Sequence, residues 1–163
     1  MDIKQTLIQY LTENSRYTNK QLADMLGITE KEVETSIKEL EDIGAIVKYT
    51  TIVNPDKFNT NRVDALINVK VKPQKLKGFD AFAEQLTKYE AVKGLYLISG
   101  AYDLAVMITA KDLSGIARFV SETLSAVDGV IEVSTNFILK KYKIEGQTTK
   151  SENEDRELIW EVL

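Results

Sequence analysis

The chain has 163 residues and is 44% hydrophobic, enough for one ordinary domain or two small ones with real cores. It contains no cysteine and no histidine, which excludes disulfides, thiolate metal sites, the commonest general base and the commonest transition-metal ligand. A formal net charge of −4 is not that of a strongly basic nucleic-acid binder, and no long apolar run or basic leader is present, so a cytoplasmic protein with no membrane segment, metal or cofactor is expected.

The charge is uneven: residues 1–61 sum to −3, 62–146 to +2 and 147–163 to −3. Any contact with a polyanion must therefore come from charge gathered on one face, or from several copies acting together.

Ile3, Leu7 and Leu11 recur at helical spacing, with Ile8 and Tyr10 widening the stripe, and predict a first helix over about 2–13. Thr18-Asn19-Lys20-Gln21 has the form of a capping box and opens a short second helix with Leu22, Ala23 and Leu26 on its apolar side. Gly27 supplies its stop. Thr29-Glu30-Lys31-Glu32 is a second capping box, opening a third helix anchored by Val33, Ile37 and Leu40 and ended by Gly44. Three short helices with a glycine turn between the last two describe a helix-turn-helix, although any small helical bundle would also fit. Ala45 to Val53 is rich in β-branched residues and predicts a strand or wing; Asn54-Pro55-Asp56 is a turn signal.

The third helix raises a difficulty, because Ile28 to Asp42 carries six acidic residues against two lysines. At about 100° per residue, setting Val33, Ile37 and Leu40 inward sends Lys31, Thr35 and Lys38 outward. The glutamates fall on the two flanks, Glu32 belongs to the cap, and Glu34–Lys38 is an i, i+4 pair in the favourable order. Lys31, Thr35 and Lys38 thus form the stripe that would enter a DNA major groove. Thr18, Asn19 and Lys20 at the start of the second helix, and Lys48 in the wing, are placed for phosphates. A solvated helix face is the plain alternative.

From Arg62 the periodicity changes. Asp64 to Lys72 alternates as a half-buried strand; Phe79, Phe82, Ala83 and Leu86 mark a helix at about 77–88; Val92 to Ile98 is a strand apolar on both faces. Ser99-Gly100-Ala101 turns into a strand over Asp103 to Thr109. Asp112 caps a helix carrying Ile116, Phe119, Val120 and Leu124, and Val130 to Lys141 is a last strand with Ile131, Val133, Phe137 and Leu139 on one side. The fold class is therefore α+β: an N-terminal winged helix-turn-helix (1–53), a linker (54–62), a ferredoxin-like βαββαβ sandwich (63–145) and a C-terminal extension (146–163). Leu66, Leu95, Leu97, Ala105 and Met107 are expected to make the second sheet face apolar, which points to self-association.

The segment QLADMLGITEKEVETSIKELEDIGAI, the Gly100-Ala101-Tyr102-Asp103 turn and the GVIEVSTNFILKKYK end together resemble the Lrp/AsnC, or feast/famine, family of transcriptional regulators over about residues 2–145. The resemblance implies a DNA-binding regulator that pairs through its C-terminal sheets as a homodimer, assembles into octamers or longer arrays, and responds to an amino acid or related metabolite. It further implies an effector site using the loop Gly100, Ala101, Tyr102 and Asp103, with Thr135 and Asn136 of the last strand. Gly100 would let backbone amides approach a carboxylate, Asp103 would accept from an α-ammonium, and Tyr102 would close the pocket; a plain hairpin turn is the alternative. Where the family commonly has Arg-Val in the middle of the third helix, this chain has Ser36-Ile37.

Residues 147–163 extend past the resemblance and end in Leu158, Ile159, Trp160, Val162 and Leu163: a docking helix, a partner peptide or a loose tail. The rival functions are a metabolite-sensing oligomer that has lost DNA binding and acts through protein partners, and an enzyme sharing only the sandwich architecture. The lack of histidine argues against the enzyme.

Overall fold

The computed structural model describes residues 2–55, 57–58, 61–72 and 78–149, and the chain divides after Ile52 into two compact units. The expected apolar terminus from Leu158 to Leu163, Asp56 of the expected turn and the start of the helix expected at about 77 lie outside the described residues.

The first unit holds three helices, α1 (Ile3–Glu13), α2 (Asn19–Leu26) and α3 (Glu30–Asp42). Both expected capping boxes are closed. Thr18 accepts from Gln21 N and Gln21 returns to Thr18 N at 2.9 Å; Thr29 and Glu32 do the same, with Thr29 N to Glu32 Oε2 at 2.8 Å. Each box satisfies two of the amides that a helix start leaves without partners. Gly27 then takes the left-handed conformation at φ +68°, where a side chain would be strained, and so turns α2 into α3. The core is Leu7, Leu22, Ala23, Val33 and Leu40, with Ile37, Leu26 and Ile46 packed around it. The α1 stripe is narrower than its spacing suggests, since Leu7 is buried while Ile3 and Ile8 are exposed.

No strand forms over Ala45–Val53, contrary to the β-branched composition. A strand needs a ladder partner, and this unit is otherwise helical. The segment instead returns along α3, with Ile46 against the core and Tyr49 Oη donating to Glu41 Oε1 at 2.9 Å.

The second unit is a four-stranded antiparallel sheet in the order β2-β3-β1-β4, from β1 (Val63–Val71), β2 (Val92–Leu97), β3 (Leu104–Ala110) and β4 (Val130–Phe137). The helices α4 (Asp80–Leu86) and α5 (Leu113–Arg118) connect the strands. Asp112 caps α5, as its sequence position suggests, by accepting from Gly115 N at 2.8 Å. Beyond α5 the chain widens into a π-helical turn, Phe119–Leu124, in which Ser125 N donates to Val120 O. The helices cover one sheet face, burying Ala65, Ile67, Val69, Leu104, Val106 and Ile108 of the strands with Phe82, Leu86, Ile116 and Leu124 of the helical segments. A short hairpin that the sequence reading missed, β5 (Lys143–Ile144) and β6 (Gln147–Thr148), follows β4; its turn is Glu145-Gly146, both at positive φ.

Two bulges change which side chains face the helices. Val92 pairs with Ile108 but Gly94 with Met107, so Lys93 is an extra residue, and both Val92 and Leu95 pack on the helix side. Leu95 therefore does not belong to the open face as expected. Leu97, paired with Leu104, is likewise at the helix-side parity and ends the strand exposed. A second irregularity, between Lys70 and Val71, displaces Ile131 from the core and leaves it exposed; Leu139 lies beyond β4 and is 95% exposed. The open face carries Leu66, Ala105, Met107 and Tyr96, but also Asn68, Ser134 and Asn136, and is more polar than alternation alone suggests.

Gly129, before β4, is held at φ +92°, where a Cβ would meet Phe82 Cζ at 2.9 Å, and its carbonyl accepts from Lys72 N. Gly129→Ala is therefore expected to destabilise the fold by about 1–3 kcal/mol, through overpacking against a buried ring plus backbone strain, read as a lowered urea midpoint with unchanged slope.

Candidate functional site

Two groups of residues can carry recognition, one in each unit. In the first, Lys31, Thr35 and Lys38 are exposed along the outward side of α3, opposite buried Val33 and Leu40. Thr18, Asn19, Lys20 and Lys48 are also exposed. Neither Lys31 nor Lys38 makes an ion pair among the described residues, and the expected Glu34–Lys38 pair is not formed. Two solvated side chains gain little by closing such a pair, so the lysine remains available. Thr35 donates its hydroxyl to Lys31 O at 2.9 Å, which fixes its rotamer and leaves its oxygen as an acceptor.

The flanking carboxylates are largely engaged. Glu32 closes the cap, and the hydrogen bonds from Thr29 hold its carboxyl below the usual range. Glu39 pairs with Lys4 of α1 at 2.7 Å, and Glu41 accepts from Tyr49. The Tyr49 phenol is pushed up, first by burial and then by its bond to Glu41, and so keeps its proton. Glu30 and Glu34 are left facing solvent among the flanking glutamates.

In the second unit the loop Gly100–Asp103 joins β2 to β3 and is closed by Ile98 N donating to Asp103 O at 2.8 Å. Asp103 bonds across to β1, because its Oδ2 accepts from Val71 N at 2.9 Å while its own N–H donates to Val69 O. One carboxylate oxygen therefore holds the bulged end of β1. Tyr102 Oη donates to Glu132 Oε1 of β4 at 2.9 Å. The bond to Glu132 raises the Tyr102 phenol above its ordinary value, burial adds to this, and the Ser134 hydroxyl acts in the opposite sense.

Tyr102, Glu132 and Ser134 thus come together, and the last two escaped the sequence reading. Their signal was present in the polar alternation Glu132, Ser134, Asn136. Thr135 and Asn136 do not join the loop as a pair: Thr135 pairs with Ile67 on the helix-covered side, while Asn136 points to the open face. Asn136 donates to Leu66 O at 3.4 Å, about 13 Å along β4 from Glu132 at 3.3 Å per residue. Among the described residues, no group of three His, Cys, Asp or Glu could hold a metal ion, and no helix is long and apolar enough to cross a membrane.

Residues 64–148 match the Lrp/AsnC ligand binding domain, and residues 2–47 match a winged helix-turn-helix DNA-binding domain. The uncharacterised HTH-type transcriptional regulator YugG of Bacillus subtilis (strain 168) is 39% identical over 154 residues, covering 94% of this chain and 93% of its own. The HTH-type transcriptional regulator LrpA of Pyrococcus horikoshii is 34% identical over 137 residues, 84% of this chain and 94% of its own. Among solved structures, the transcriptional regulator NMB0573 of Neisseria meningitidis, crystallised with L-Met, superposes with a TM-score of 0.69 at 25% identity, covering 96% of this chain and 98% of its own. PH0061 gives 0.74 at 27% identity, with 88% and 96% covered.

The bond from Val71 N to Asp103 sets a stability expectation. Asp103→Ala leaves a part-buried amide without its acceptor and should cost about 1–3 kcal/mol in urea unfolding, whereas Asp103→Asn, which keeps an acceptor oxygen, should cost clearly less.

Proposed function

The chain belongs to the Lrp/AsnC family of helix-turn-helix transcriptional regulators, and from that premise we propose that it reads operator DNA with α3 and responds to a free amino acid at the Gly100–Asp103 loop. The observation that carries the DNA reading is the outward stripe of Lys31, Thr35 and Lys38, whose two ammonium groups have no ion-pair partner among the described residues while three of the flanking glutamates are engaged elsewhere. In this reading Lys31, Thr35 and Lys38 enter the major groove, and Thr18, Asn19, Lys20 and Lys48 lie near the backbone. Binding to a single copy is weak and the working unit is a homodimer or larger array in the cytoplasm, paired through the open face around Leu66, Ala105 and Met107. The relatives matched are transcriptional regulators, which supports a non-enzymatic role.

For the effector, the loop amides around Gly100 approach a carboxylate, and Glu132 is a better partner for an α-ammonium than Asp103, one of whose oxygens is held by Val71 N. Tyr102, now bonded to Glu132, is the gate between them. The L-Met complex of NMB0573 supports an amino-acid effector. Thr135, on the covered side, has no part in this site.

Two outcomes are expected. In a gel shift on the DNA upstream of its own gene, binding falls steeply as salt rises, and Lys31→Glu/Lys38→Glu removes it at every salt concentration; an unchanged shift would refute the α3 assignment. In a thermal-shift panel of the twenty amino acids, one or a few raise Tm, and Glu132→Gln weakens that response at least tenfold while leaving DNA binding by the free protein intact. Stabilisation with no DNA binding to any probe would favour the alternative of a sensing module that acts through protein partners.

A further inference from the structure

A cleft of about 530 Å³ lies at the far end of the sheet from the Gly100–Asp103 loop. The distance follows from register: Val69 pairs with Leu104 at the loop end and Val63 with Ala110 at the cleft end, six residues or about 20 Å along β1. The cleft is lined by Arg62, Lys93 and Lys111 against a single carboxylate, Glu90, with neutral residues making up the rest of the lining. The three cations come from separate parts of the sheet: the start of β1, the bulge of β2 and the residue after β3. The bulge is what makes Lys93 an extra residue in the β2–β3 pairing.

No side chain among the described residues closes an ion pair with this group. Lys93 and Lys111 form no ion pair there, and neither does Glu90. The nearby Asp64 of β1 is already occupied, by Lys141 Nζ on one oxygen and by the Thr109 hydroxyl on the other. These bonds outweigh the effect of burial and hold the Asp64 carboxyl below its ordinary value, so it stays ionised and stays paired. Arg62 lies near enough to help hold that charge but closes no ion pair with it, and it lines the cleft.

We propose that this cleft is a second small-molecule site, distinct from the effector loop, that takes a phosphate group: inorganic phosphate or the phosphate of a small metabolite. Three cations against one carboxylate leave an excess of two positive charges, which matches a dianion. A zwitterionic amino acid would bring its ammonium into the same positive field and gain little. A concave wall of predominantly positive charge also strengthens the local field over that of scattered surface lysines. Arg62 offers a planar fork suited to two phosphate oxygens, and the two lysines act as point charges beside it. The volume is in the range of ordinary metabolite pockets, too small for a macromolecular surface.

The test is isothermal titration of the full chain with inorganic phosphate at fixed ionic strength, with glycine as a zwitterionic control. Saturable binding of one phosphate per chain is expected, weakened at least tenfold in Lys93→Ala/Lys111→Ala and unchanged in Lys31→Glu/Lys38→Glu, which separates this site from the DNA reading. Both cleft lysines are exposed, so their removal leaves the core intact; should circular dichroism show that the double variant is unfolded, Arg62→Gln takes its place with the same expected loss. No saturable phosphate binding, equal binding in wild type and variant, or glycine binding that is lost in the same variant would each overturn the proposal. So would a variant that loses DNA affinity while phosphate fails to bind the wild type, since the cleft cations would then be contacting a nucleic-acid backbone.

Discussion

The proposed DNA-reading face depends on where the carboxylates of α3 are held. A helix with six acidic residues in its segment should repel a polyanion within about a Debye length, roughly 8 Å at physiological salt. In the structure three of the flanking glutamates are tied to neighbours: Glu32 to the cap, Glu39 to Lys4 and Glu41 to Tyr49. Each of these contacts has another setting: the first starts the helix, the second links α1 to α3 at the surface, and the third lies where the chain returns after Gly44. Acidity that looks hostile to DNA in a residue count is in large part the means by which the helix is built and seated.

The second unit shows a similar economy in its sheet. Its helix-covered side is a continuous apolar layer, but its two ends differ in chemistry. At one end the β2–β3 loop gathers Asp103, Tyr102, Glu132 and Ser134, an arrangement of acceptors and hydroxyls. At the other, Arg62, Lys93 and Lys111 surround one glutamate. The bulges produce much of this division: one lies beside Asp103 at Val71, the other adds Lys93 to β2. A bulge leaves a residue unpaired in the ladder and so re-aims a side chain without disturbing the layer beneath.

Those same bulges mark what the sequence could and could not reveal. Capping boxes are local and written in residue types, so both helix starts were legible, as were Gly27 and the Asp112 cap. Strand positions were legible too, because alternation in Ala65, Ile67, Val69 and Val71 survives in the burial pattern. Parity across an inserted residue was not, since Leu95, Leu97 and Ile131 are ordinary strand residues whose facing depends on a neighbour's register. The strand expected over Ala45–Val53 failed for a related reason: β-branched composition records fitness for a sheet but cannot supply the second strand. Glu132 is legible in its polar alternation with Ser134 and Asn136, but the apolar side of the same strand carries the stronger signal. The Glu145-Gly146 hairpin turn is legible in the same way, from a glycine at its second position.

The strength of the proposed DNA contact follows from counting phosphates. Each phosphate neutralised contributes about −0.9 to the slope of log affinity against log salt, so the two lysines of one α3 contribute no more than about −2. Lys20 and Lys48 together could add about as much again, still modest beside the unit's net negative charge. A symmetric pair doubles the term while fixing the separation of two half-sites, and the second helix then binds at the effective concentration set by the first. In the proposed homodimer, multiplicity therefore raises affinity without adding a single cation to the chain, a route by which a protein of net charge −4 can recognise a polyanion.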